Sequence, residues 1–120
     1  MTALEDAQKS FAAFVEDYNA SRADEFYEGF PLPTLTQGQR GALIGALNRE
    51  LGGDMNRKQF LKAVTGYASS KDMTDPEWYA LSRLVGFGVN GRWSLTPEGA
   101  DLSRRAVAEH VQGEGQIPLF

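Results

Sequence analysis

Helix-start signals constrain this chain more than any other feature of its sequence. Thr2 with Glu5, and Thr36 with Gln39, read as capping boxes, in which each side chain satisfies a backbone N–H of the other's residue. Asp75-Pro76-Glu77 and Thr96-Pro97-Glu98 each set a cap residue before a first-turn proline and an acid near the positive end of the helix dipole. Asn56, three residues before Gln59, is expected to cap a further helix. Behind each start, apolar residues recur at helical spacing. They are Leu4, Ala7, Phe11, Phe14, Val15 and Tyr18, then Leu43, Ala46, Leu47 and Leu51, then Phe60, Leu61, Val64 and Tyr67. Trp78, Leu81, Leu84 and Val85 follow, and finally Leu102, Ala106 and Val107. The predicted helices run to about Ser21, over 36–51, from Asn56, over 75–86, and from Thr96 to near Val111.

Glycine and proline punctuate the rest. Gly52-Gly53 closes the second helix as a C-cap. Gly38, Gly41 and Gly45 each weaken it by up to about 1 kcal/mol relative to alanine, and their spacing predicts close backbone packing against a neighbour. In FYEGFPLPTL, Gly29, Pro31 and Pro33 rule out a continuous helix. Phe26, Tyr27, Phe30 and Leu32 make this stretch too apolar for a free linker; it is expected to pack over the core, with a partner-binding surface as the alternative. Asn90-Gly91, between Phe87-Gly88-Val89 and Trp93-Ser94-Leu95, is a two-residue hairpin signal. The expected fold is therefore mainly α with a small β-hairpin.

The order helix, helix, helix, tight hairpin, helix is that of a winged-helix domain. The stretch YALSRLVGFGVNGRWSLTPEGADL resembles the helix–wing–helix end of winged-helix domains, including those of Mrr-like restriction enzymes and many regulators. Gly91, Trp93, Leu95, Thr96 and Gly99 carry the likeness. It implies three parts: an N-terminal helix and apolar connecting segment (1–33), a winged-helix-like domain (34–111) and a flexible C-terminal peptide (112–120). It implies little about activity, since winged helices serve both as DNA readers and as protein-interaction modules.

Charge bears on the DNA option. Residues 1–33 hold seven acids and two bases, 34–71 two acids and six bases, and 72–120 seven acids and four bases, for a net charge of −4. A winged-helix reader would present the helix near 75–86 to the major groove, yet its exposed positions offer one base, Arg83, and the wing only Arg92. Asp72 and Asp75 would repel phosphates. Nonstandard contact with nucleic acid would fall to Arg57, Lys58, Lys62 and Lys71, for which a solvated basic face is the plainer reading.

No catalytic set assembles. The chain has no cysteine and one histidine, His110, so a nitrogen-or-sulfur metal site cannot reach three ligands without carboxylates. No phosphate-binding loop, nucleophile elbow or zinc-protease motif is spelled. A non-enzyme with no cofactor and no metal is expected. The N-terminus lacks a signal peptide and no apolar run could span a bilayer, so a cytoplasmic protein is expected.

The most specific functional signal is the run Gln116-Ile117-Pro118-Leu119-Phe120 behind Gln112-Gly113-Glu114-Gly115. It resembles the pentapeptide by which bacterial polymerases and repair factors bind the β sliding clamp. By that resemblance Gln116 would bond the polar edge of the clamp groove, Leu119 and Phe120 would fill its deeper apolar pocket, and Ile117 a shallower one. The expectation is an adaptor or regulator in DNA replication or repair. The alternatives are a winged-helix DNA-binding transcriptional regulator, and an inhibitor or antiactivator acting by protein–protein contact.

Overall fold

The computed structural model describes residues 2–23, 32–88 and 92–115, with the backbone alone for 23 and 111–115. Five α-helices make up most of the described chain: α1 (Ala3–Ala23), α2 (Gln37–Leu51), α3 (Asp54–Thr65), α4 (Asp75–Val85) and α5 (Pro97–Gly115), with a 3-10 turn at Ser70–Asp72 before α4.

The starts of α1, α2 and α5 lie where the caps place them. α4 is instead capped by Thr74, and Asp75, the expected cap, is its first helical residue. Thr36 accepts from the Gln39 amide at 3.2 Å while the Gln39 side chain accepts from the Thr36 amide at 2.8 Å, closing the capping box of α2. Gly52, left-handed at φ 84°, ends that helix by donating its amide to the Asn48 carbonyl. Thr2 Oγ1 accepts from the Glu5 amide at 3.1 Å. Asn56 behaves otherwise: α3 begins at Asp54, and the Asn56 side chain donates to the Leu51 carbonyl at 2.6 Å, closing the C-terminus of α2 rather than opening α3. Near the other end of the chain α5 continues to Gly115, past the expected stop near Val111.

α4 is the hub. Trp78, Tyr79, Ala80, Leu81, Ser82, Leu84 and Val85 are all buried, so apolar contact surrounds nearly its whole circumference. α1 lies along it: Tyr18 packs on Tyr79 with centroids 5.6 Å apart and the rings tilted by 42°, and the Arg83 guanidinium sits 5.3 Å from the Phe14 ring centre. Leu43 and Leu47 of α2, Phe60 and Leu61 of α3, and Ala106 and Val107 of α5 complete one continuous core. Full burial of each large side chain is worth roughly 1.5–3 kcal/mol. α1 is thus an integral wall of this core, not an appendage preceding it.

The winged-helix expectation is overturned. Among the described residues there is no β-strand, so neither the hairpin nor the fold it implied is present. The local reason is backbone geometry. Gly86 and Gly88 are both left-handed, at φ 69° and 85°, so the chain turns where the first strand would have to extend. Trp93 and Ser94 form a bend, and Asn90-Gly91 itself lies outside the described residues. The described backbone hydrogen bond that closes this loop, from the Thr96 amide to the Val85 carbonyl, is long at 3.4 Å. Thr96 and Gly99, two carriers of the likeness, serve a helix–helix corner instead. Thr96 Oγ1 caps α5 by accepting from the Gly99 amide at 3.0 Å, and Gly99 rests on the last carbonyl of α4.

The glycines of α2 also differ from expectation. A Cβ placed on Gly41 would meet no atom within 4 Å; on Gly38 it would meet only the Trp93 ring and Thr36 Oγ1, and on Gly45 only the Arg49 guanidinium. None of the three lies against a neighbouring backbone.

Candidate functional site

The structure scatters the six basic residues singled out for nucleic acid. Arg57 is largely buried: its Nε donates to Asn48 Oδ1 at 2.8 Å and its guanidinium lies 3.5 Å from Asp54, so it fastens α3 to α2. Lys58 and Lys62 stand exposed one turn apart on α3. Lys71 belongs to the 3-10 turn before α4 and Arg83 to α4 itself, stacked on Phe14. Arg92 is exposed just before Trp93. The expected reading helix cannot enter a groove, because α4 is the buried centre of the bundle. Gln116, Ile117, Leu119 and Phe120 lie outside the described residues, as do Phe26, Tyr27 and Phe30 of the apolar connection.

Two clefts flank α4. The larger, about 600 Å³, is lined by Arg40, Gly41 and Ile44 of α2, Lys71 of the 3-10 turn, Met73, and Trp78 of α4. Arg40 is held there by three contacts. Its Nε donates to the Leu35 carbonyl at 3.2 Å, its Nη2 reaches Asp75 Oδ1 at 2.5 Å, and its guanidinium carbon lies 5.4 Å from the centre of the Trp78 ring. Only 23% of the Arg40 side chain is exposed, so this cation is oriented rather than free to sweep solvent. The Lys71 ammonium is exposed and makes no ion pair among the described residues.

The second cleft, about 290 Å³, lies between the segment entering α2 and the C-terminal half of α4, with Pro33, Leu35, Tyr79, Arg83, Phe87 and Trp93 around it. Trp93 is 55% exposed at its rim. The entering segment is tied to the end of α1: Leu32 donates its amide to Ser21 Oγ at 3.2 Å, and Tyr18 and Thr34 share a 2.6 Å hydroxyl bond.

Two carboxylates are tuned by their settings. Burial pushes the Glu77 carboxyl up, but hydrogen bonds from the Thr74 hydroxyl at 2.6 Å and the Tyr67 hydroxyl at 2.7 Å outweigh it, and the group ends below the ordinary carboxylate range. Glu109 of α5 accepts from the Leu4 amide at 2.8 Å and the Ala3 amide at 3.0 Å; chiefly through the Leu4 bond, its carboxyl is also held below the usual value. Both act as helix caps, with Glu77 taken up by Thr74 and the Tyr67 hydroxyl and Glu109 by the first amides of α1.

Among the described residues no cluster of three or more His, Asp or Glu side chains converges as a metal site requires. No helix among them is long and apolar enough to cross a membrane. Sequence reasoning passed over Arg40 and counted Trp78 only as core. The signal lay partly in reach, since Arg40 opens the second helix and Asp75 the fourth, but nothing in sequence pairs residues 35 positions apart. Comparison with family models, with curated proteins and with solved structures gives no match, so function rests on the residues and geometry above.

Proposed function

We propose that the chain is a non-enzymatic cytoplasmic adaptor that docks on the bacterial β sliding clamp through Gln116, Ile117, Leu119 and Phe120 and acts in DNA replication or repair. The observation that carries this reading is the spelling Gln-Ile-Pro-Leu-Phe, directly behind α5. The described fold is compatible with such a role. Glu109 anchors α5 on the N-terminus of α1, and the helix then runs on to Gly115, about 9 Å further at 1.5 Å per residue. A peptide carried on a helix loses less freedom on docking than one on a long loose tether.

Leu119 and Phe120 supply the affinity, each worth roughly 1.5–3 kcal/mol when fully buried in a partner. Ordering the peptide offsets part of that gain, which leaves a Kd on the order of micromolar. Pro118 lowers the ordering cost by restricting the free peptide. The test is binding of the full-length chain to purified bacterial clamp by calorimetry, beside a Leu119→Ala/Phe120→Ala double variant. Saturable micromolar binding that the double variant weakens at least about tenfold, or roughly 1.4 kcal/mol, supports the adaptor reading. A chain that binds no clamp, or a variant that binds as well as the parent, ends it.

A further inference from the structure

We infer that the cleft between α2, the 3-10 turn and α4 is a second docking site, which takes a short segment of a partner protein bearing a carboxylate beside an apolar side chain. Shape, lining and charge each narrow the occupant. At about 600 Å³ and open to solvent along one side, the cleft has room for several residues of extended chain and is far larger than one inorganic anion needs. Its floor is apolar: Ile44, buried Met73 and buried Trp78. Its two charged groups, Arg40 and Lys71, are both cations.

The cations divide the work. Arg40 is pre-set by the Leu35 carbonyl, Asp75 and the Trp78 ring, so it offers an oriented guanidinium edge to a second carboxylate at little entropic cost. Lys71 makes no ion pair among the described residues and supplies an uncommitted positive charge across the cleft. The residues lining the cleft include two cations and no acid, which gives it its complementarity to an acidic segment. A duplex is a poorer match. Phosphate tracking needs a stripe of cations along an open surface, whereas this cleft offers two, set around the apolar Ile44, Met73 and Trp78.

Gly41 completes the site. It lies in the middle of α2, lines the cleft, and would place a Cβ within 4 Å of nothing. A side chain there would raise helix propensity and occupy the space a bound segment needs. The inference does not depend on clamp docking, since the cleft and the Gln116–Phe120 motif share no residue.

The test uses the full-length 15N-labelled chain and three blocked peptides followed by amide shifts: Glu-Asp-Leu-Glu-Asp, its neutral counterpart Gln-Asn-Leu-Gln-Asn, and Glu-Asp-Gly-Glu-Asp without the apolar residue. A duplex DNA titration is run beside them. The acidic–apolar peptide is expected to shift the Gly41, Ser70 and Lys71 amides saturably, at least about fivefold more tightly than either control, as loss of a charged or apolar anchor requires. Gly41→Leu should melt higher than the parent yet bind the peptide at least about tenfold more weakly. Lys71→Glu should weaken it too, and Leu119→Ala/Phe120→Ala should leave it unchanged. The inference is overturned by a Gly41→Leu protein that binds as well as the parent, by shifts that fail to saturate at these amides, or by DNA moving them where the peptide does not.

Discussion

A side-chain carbon on Gly99 would fall 1.8 Å from the carbonyl oxygen of Val85, inside any van der Waals contact. The first turn of α5 therefore rests directly on the backbone that ends α4. Gly86 faces the same corner, where a Cβ would come 2.3 Å from Thr96 Oγ1 at a backbone φ of 69°. Because backbone meets backbone at Gly99, no rotamer change relieves the clash. Gly99→Ala is expected to destabilise the fold by about 3 kcal/mol or more, at the upper end of overpacking costs. Gly41→Ala, in open space on α2, should instead stabilise by roughly 0.5–1 kcal/mol. Paired urea melts check the contrast; a Gly99→Ala protein as stable as the parent would show that Gly99 does not pack on the Val85 carbonyl.

Glu109 ties α5 to the start of α1, with its two carboxylate oxygens on the first two amides of that helix. Those bonds hold its pKa below the usual value of 4.5. A depressed folded-state pKa means that the stabilisation is fully present above about pH 4.5 and is lost as pH falls through the lower folded value. Glu109→Ala should lower the melting temperature at neutral pH and flatten the acid limb of the stability profile. A variant that retains the parent's full acid dependence would assign that limb to other carboxylates.

Much of the fold was legible because it is written locally. Capping boxes, Asp75-Pro76-Glu77 and the Gly52 stop involve neighbours within a turn, and each helix they mark is present. The misreadings have two causes: the hairpin and the cleft turn on contacts distant in sequence, and Asn56 on a choice between two neighbouring helix ends. Asn90-Gly91 spells a hairpin, but strand pairing needs extended flanks, and Gly86 and Gly88 turn the chain to seat Gly99 on Val85. Asn56 spells a cap, and it caps the helix before it. The α2 glycines suggested a tight neighbour, yet the space beside Gly41 is the cleft. That cleft was invisible in sequence because Arg40, Lys71 and Trp78 come from three separate elements.

Glu77 shows how much a buried cap carries. It completes the Thr74 capping box and also accepts the Tyr67 hydroxyl, linking the segment after α3 to the start of α4. Glu77→Ala leaves the tyrosine hydroxyl and two Thr74 donors without their acceptor, a loss of about 1–3 kcal/mol for a half-dry network. Since the Tyr67 pKa is raised by its bond to Glu77, that bond stabilises below about pH 10 and is lost as pH rises through the folded value. Tyr67→Phe should therefore flatten the alkaline limb of the stability profile. Absorbance of the tyrosinate band against pH gives an independent check: a component titrating above about pH 10 in the parent that is missing in Tyr67→Phe.

Arg57, Lys58 and Lys62 share one helix but separate cleanly by what they touch. Arg57 is inward and committed, to Asn48 on α2 and Asp54 on its own first turn. Arg57→Ala breaks the bond to Asn48 and strips largely buried methylenes, so it should cost about 1–2 kcal/mol. Lys58→Ala and Lys62→Ala remove exposed ammonium groups and should stay within about 0.5 kcal/mol of the parent. A charge-reading role would reverse the pattern in a binding assay, with Lys58→Glu and Lys62→Glu abolishing duplex association at low salt while Arg57→Ala acted only through stability. With α4 buried and its first turn acidic, the expected result is no salt-sensitive duplex binding to abolish, in the parent or in either lysine variant, by electrophoretic shift at low ionic strength.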